Sequence, residues 1–264
     1  MGRHLTAIQA QTFCKCPRMY YYKHIRKEKV DYRRSDIFDR LDDNARLSFL
    51  KNEKRFLRDL ESPDDIIGCY KLIFDMSVAT SISRSSKWIT DIDHEEVEAY
   101  LERGMEITIS ERMSRTRGYM EFYGLIGVEL ADAVAYPPEN IDQRIVDFKH
   151  KISNNVSIVH VEDDIVMPIQ YSSGLPPKPG MPPCDIVMAK FNALLAYEWS
   201  GKEVPISSIF YTKINEQRSI PIHDTNKDEV KTFVKMANES SAYEKATGPV
   251  CPGCPFKEIC ENDD

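Results

Sequence analysis

The chain has 264 residues, 42% of them hydrophobic, and a net charge of -7. That is room for one large domain, or one domain with a sizeable insertion, of ordinary globular composition. The acidic balance excludes a protein held to nucleic acid by its overall field, so any DNA contact would need a local basic patch. No run approaches the roughly 18 apolar residues of a membrane span, and no membrane partner is expected. The start, Met1-Gly-Arg-His-Leu-Thr6, lacks the apolar stretch of a secretory signal. Seven cysteines, an odd number, then point to a reducing, cytoplasmic setting and a metal site rather than a disulfide framework.

Residues 5–25 read as helical, with Ile8, Phe13, Tyr20 and Tyr21 available to a core and Pro17 kinking or restarting the helix. Residues 23–34 carry Lys23, Arg26, Lys27, Lys29, Arg33 and Arg34. They are the best local candidate for a DNA contact, and equally a solvated basic helix end. Residues 36–118 read as mostly helical, because Leu41, Leu47, Phe49, Leu50, Phe56 and Leu60 recur at roughly helical spacing. Ser62-Pro63-Asp64-Asp65 is a stop followed by a new cap, and Asp91 to Tyr100 begins another charged helix.

The pattern changes after about residue 120. Residues 129–136, 144–149, 156–161 and 165–171 have strand composition and are separated by turn pairs such as Pro137-Pro138, Asn154-Asn155 and Asp163-Asp164. They read as an antiparallel meander. A Pro/Gly loop follows at 174–183, then an apolar helix from Asp185, a plausible N-cap, to Trp199. Residues 206–211 form another strand, 218–222 pair with it, and 226–240 form a last helix. The order gives an α+β fold with a helical insertion. Its parts are an N-terminal helix over 1–30, a helical insertion over 31–120, an αβ core over 121–245 and a cysteine tail over 246–264.

The chemistry candidates begin with the cysteines. Cys251-x2-Cys254-x5-Cys260 packs three thiols into ten residues and lacks one ligand for a closed four-thiolate site. The start of the chain can supply it from Cys16 or from Cys14, and Cys16, followed by Pro17-Arg18 and the tyrosines Tyr20–Tyr22, is the choice. Four thiolates suit an iron–sulfur cluster or a structural zinc. Such a site would close nearly the whole chain into one loop, worth on the order of 4–5 kcal/mol by analogy with a disulfide. Cys69 and Cys184 read as ordinary buried thiols.

A Cys-Pro-Arg-aromatic motif on the first helix with C-x2-C-x5-C at the end resembles the iron–sulfur-stapled branch of the PD-(D/E)XK nucleases. That branch includes the RecB-like CRISPR-associated exonucleases and the AddB nuclease domain. The resemblance covers residues 5–25 and roughly 145–260, and leaves 30–120 unplaced. It implies a PD-(D/E)XK core, a 4Fe-4S cluster on Cys16, Cys251, Cys254 and Cys260 with zinc as the alternative, and cleavage of single-stranded DNA or DNA ends with Mg2+ or Mn2+. In that chemistry an Asp on one strand and (Asp/Glu)-x-Lys on the next hold the cations and position the attacking water.

Two registers compete. In the first, Asp132 is the strand Asp and Asp147-Phe148-Lys149 is the Asp-x-Lys, so that Asp132 and Asp147 ligate the metal and Lys149 positions the water. In the second, the hairpin is 156–161 with 165–171, which sets the catalytic strand directly before the Pro-rich loop. Gln170-Tyr171-Ser172 then stands where Glu-x-Lys is needed, with Ser157 near the Asp position and Met188 or Lys190 where the helix needs a Gln. An amide and a hydroxyl cannot replace a carboxylate and an ammonium, so this register keeps the fold for gripping DNA or a protein partner in a processing complex. In that binding role Tyr20–Tyr22 could stack on bases and residues 23–34 could contact phosphates. Glu229-Val230-Lys231 also matches the motif and reads as helix surface. His160, on a strand, and His94, starting a helix, have no partner spacing that suggests a ligand. No Gly-rich phosphate loop, G-x-S-x-G or H-E-x-x-H occurs, which argues against nucleotide hydrolysis and serine or zinc protease chemistry.

Overall fold

The computed structural model describes residues 4–29, 33–89, 92–239, 243–244 and 251–263. A two-residue strand β1 (Leu5–Thr6) leads into α1 (Ala7–Lys15), opened by a capping box in which Thr6 and Gln9 satisfy each other's backbone N–H. Pro17 does restart the helix: α2 (Pro17–Tyr20) begins there and widens into a π-helical segment, Tyr21–Arg26, closed by Lys27 in the left-handed region. Three long helices follow, α3 (Arg34–Leu57), α4 (Ile66–Ser85) and α5 (His94–Tyr123), then a short α6 (Gly127–Val134). Ser62 caps the turn before α4, as its spacing predicts. Of the segment starting at Asp91, that first residue lies outside the described residues.

The sheet is mixed, with six strands among the described residues: β1, β2 (Ile141–Asp147), β3 (Ile152–Glu162), β4 (Ile165–Ser172), β5 (Ile206–Tyr211) and β6 (Glu216–Pro221). β2, β3 and β4 form the antiparallel meander. α7 (Pro183–Ser200) then carries the chain over to β5, which runs parallel to β4, and β6 returns antiparallel. β2 takes one edge of β3; β1 and β4 share the other, β1 at Ile152 and Ser153 and β4 from Ile158 onward. α8 (Thr225–Glu239) and a short tail helix α9 (Lys257–Asn262) complete the chain. Residue 240 of the expected last helix lies outside the described residues.

Each face of the sheet has its own core. α1, α7 and α8 bury Ile145, Ile152, Val156, Val159, Val166 and Ile209. On the opposite side α3–α6 pack against Ile141, Ile158 and Ile169, with Tyr171 and Phe210 at the margin. In that helical layer the fully buried Glu53 accepts from Tyr70 (2.8 Å) and Arg112 (2.8 Å), and Arg46 pairs with Asp42 at 2.8 Å. These polar contacts fix how α3, α4 and α5 sit together.

Four expectations need correction. Asn154-Asn155 is not a turn: both residues lie within β3 and pair with Ile145 and Arg144 of β2, and the turn falls at 148–151. Residues 129–136 form helix α6, not a strand; Leu130, Ala131 and Val134, at helical spacing, point into the helical core. Asp185 is not the N-cap of α7. Pro182 occupies that position, and Asp185 sits in the first turn, buried, accepting from Gln11 (2.7 Å) and Tyr211 (2.8 Å). One helical stretch, Pro63–Trp88, is long and apolar enough to cross a membrane by length and composition. Here it packs within the protein, burying Tyr70, Ile73, Ser77, Val78 and Ser81, with the Ser81 hydroxyl donating to the Leu41 carbonyl.

Candidate functional site

The cysteine-bearing ends meet. Tyr22, fully buried, stacks on Phe256 at 5.9 Å and donates to Asp263 at 2.8 Å; Arg26 reaches the same carboxylate at 2.8 Å. Burial raises the Cys254 thiol above its ordinary range, and the neighbouring Cys16 and Cys251 add to the rise, while the Phe256 backbone N–H and Arg33 oppose it. Cys260 is felt at Tyr22. Cys14 instead turns toward Cys184 and Asp185 at the start of α7. The helix thus separates its two cysteines, sending Cys16 toward the tail and Cys14 to the core. No three of the cysteines have sulfurs all within 4.8 Å of one another among the described residues. That is wider than the roughly 3.8 Å that zinc at 2.3 Å from each thiolate would impose.

A second polar group lies between the sheet and α7. Gln170 Oε1 accepts from Asn154 (3.2 Å) and Asn192 (3.3 Å), Gln170 Nε2 donates to Ser157 (2.8 Å), and Asn154 Nδ2 donates to Asn192 Oδ1 (2.8 Å). The Tyr171 N–H also donates to Ser157, at 3.0 Å. Asn154, Ser157 and Asn192 are buried. The group is neutral throughout, with no carboxylate to hold a cation. Met188 is packed in the core under α7, and Lys190 is ion-paired with Glu229. Tyr171, the middle residue of the Gln-x-Ser triplet, faces the helical layer, where burial raises its pKa strongly.

Asp132, Asp147 and Lys149 do not converge. Asp132 sits exposed on α6, paired with Lys54 at 2.7 Å, and lines a cavity with Val159, His160 and Val161. Asp147 pairs with Ile152 at the other end of β3. Eight residues of strand, roughly 26 Å at about 3.3 Å per residue, separate those positions. Asp147 is the last residue of β2, and Lys149 lies in the turn beyond it, so the two are not held on one strand face. Asp147 Oδ1 accepts from the Lys149 N–H (2.8 Å) and the His150 N–H (3.2 Å) and so fixes the turn.

Asp147 Oδ2 faces His150 Nδ1 at 2.5 Å, and Glu198 of α7 approaches the same nitrogen at 3.8 Å. Asp147, His150 and Glu198 are, among the described residues, the one set of three ligand-type side chains whose ligand atoms all lie within 4.8 Å. Sequence reading missed His150 and Glu198. The Asp147-x-x-His150 spacing across a turn was visible, but nothing in the sequence marks Glu198 as its neighbour.

The arginines of the basic segment are ion-paired. Arg26 pairs with Glu28 and Asp263, Arg33 with Asp36, and Arg34 with Glu96. Burial, then Lys15 and Arg40, lowers the pKa of Lys23. Residues 30–32 of this segment lie outside the described residues. Tyr20 and Tyr22 are buried against Phe13 and Phe256, so their rings are not open to bases. Neither the models of known protein families nor the curated proteins contain a match to this chain.

Proposed function

We propose that this chain is a non-cleaving relative of the iron–sulfur-stapled PD-(D/E)XK nucleases, acting as a protein-contacting subunit of a DNA-processing complex. The observation that carries the reading is the neutral Asn154–Ser157–Gln170–Asn192 network. The strand order supports it: a meander, a helix, then a strand parallel to the last of the meander. In that order Ser157 and Gln170 sit at the acid positions of the second register, and each makes hydrogen bonds that leave no anionic oxygen for a cation. The first register is disfavoured by the separation of Asp132 from Asp147. The paired arginines and the net charge of -7 favour a protein partner over a direct grip on DNA.

For the ends, we propose a 4Fe-4S cluster on Cys16, Cys251, Cys254 and Cys260, with a structural rather than a redox role. Their lying outside the meander supports that role, and the packing of Tyr22 on Phe256 supports the pairing of the ends. Protein purified without air should be brown; a colourless protein would leave zinc or no metal.

The test is cleavage of end-labelled single-stranded DNA with Mg2+ or Mn2+ by protein prepared without air, beside Asp147→Ala and Lys149→Ala. The expected result is no metal-dependent cleavage by the wild type. Cleavage that disappears in both variants would overturn the reading and restore a nuclease built on Asp147 and Lys149. Binding of the same DNA at low salt, measured in parallel, should be weak; tight, salt-sensitive binding would replace the protein partner with DNA.

A further inference from the structure

We infer that Asp147, His150 and Glu198 form a site for a divalent transition ion of the zinc class, clamping the β2–β3 turn to α7. The inference holds whether or not the nuclease reading does. The site is built from two directions. The turn holds Asp147 through two backbone N–H groups on Oδ1, which leaves Oδ2 directed at His150 Nδ1 at 2.5 Å. α7 brings Glu198 Oε1 to 3.8 Å from the same nitrogen. Asp147 and His150 have side-chain exposures of only 6% and 9%, and Glu198 25%.

The two spacings bracket what an ion needs. His150 Nδ1 stands 2.5 Å from Asp147 Oδ2 and 3.8 Å from Glu198 Oε1, on either side of the roughly 3.4 Å between ligands about 2.0–2.2 Å from a tetrahedral ion. To enter, the ion would spread Asp147 Oδ2 and His150 Nδ1 to roughly 3.4 Å, the tetrahedral separation. One imidazole nitrogen with two carboxylate oxygens selects zinc, cobalt or manganese over calcium or magnesium. Three protein ligands leave a position for water.

The single Nδ1 proton can serve Asp147 or Glu198, not both. The other cation at hand is Lys149, whose side chain is 73% exposed and whose Nζ stands 3.8 Å from Glu198. A divalent ion would collect both carboxylates at once.

Cobalt(II) distinguishes this site from the thiols. Bound by nitrogen and oxygen it gives visible d–d bands without the intense thiolate charge-transfer absorption of a cysteine site. Full-length protein purified without air should take up one such equivalent. The signal should vanish in His150→Ala, and in Glu198→Gln the cobalt affinity read from it should fall by more than the roughly 10–100-fold that losing an outer-shell partner costs. It should persist in Cys254→Ser. Glu198→Gln changes a partly exposed side chain and keeps the fold testable, with circular dichroism confirming it, and zinc should raise the melting temperature of the wild type but not of this variant. Absence of a nitrogen/oxygen cobalt signal in the wild type, or an unchanged signal in Glu198→Gln, would overturn the site.

Discussion

The side chain of Gln170 accepts from two amides and donates to one hydroxyl, and Asn192, fully buried, completes the circuit. Removing one member strands the others. Asn192→Ala leaves Asn154 and Gln170 each short of a partner, at a cost of about 2–3 kcal/mol, read as a lower urea midpoint. A smaller loss would mean that water fills the gap. At Asp43, burial first, then Asp42 and Asp39, pushes the carboxyl up to about 7. Its folded pKa lies above the unfolded value near 3.8, so the folded state binds the extra proton. Its contribution is therefore fully present at low pH and is lost as pH rises through about 7. Asp43→Asn should gain stability over the wild type above pH 7, and the gain should shrink to nothing near pH 4. His24 runs the opposite way. Burial, then Lys23, pushes it down to about 4, so stability falls as pH drops from about 6.5. The difference between wild type and the Asn variant cancels that second dependence.

Among the elements, the π-helical segment and the tail meet with two fully buried rings, Tyr22 and Phe256, at the centre of their contact. Phe256→Ala should remove about 3–5 kcal/mol of local packing. Hydrogen exchange should show both 17–26 and 251–263 losing protection while β3 and α7 keep theirs; loss everywhere would mean that the tail belongs to the global fold. The elements also show what a sequence discloses. α3 was legible from the helical spacing of Leu41 to Leu60, α4 and α5 from the caps and charges that open them, α7 from its apolar run, and β4 and β5 and the second half of β3 from their strand composition. α6 was not read as a helix: Glu129 to Tyr136 is short and apolar like a strand, yet Leu130, Ala131 and Val134 stand at helical spacing and pack toward α3 and α5. The Gln170 network was legible only in part, through Gln170 and Ser157 in the second of the two registers. Its Asn154 and Asn192 members were not, since a buried amide looks like any other until its partner is known.

At the scale of the whole molecule, one sheet separates two cores, and the proposed cluster would join residue 16 to residues 251–260. A closure of that length should stabilise by about 4–5 kcal/mol. Cys16→Ser in air-free protein should lower the denaturant midpoint accordingly, while Cys14→Ser, on the other side of the helix, should leave the iron content unchanged. Equal losses of iron in both would reassign the ligand.

The contact between Tyr22 and Asp263 spans 241 positions of sequence. During synthesis, at roughly 5–20 residues per second, Tyr22 leaves the ribosome roughly 10–50 seconds before its partner is made. β1 and α1 likewise wait for β3 and α7. The segment around Tyr22 is therefore seated in two stages, its helix against the sheet and α7 first and its tyrosine against the tail only once residues 256–263 exist.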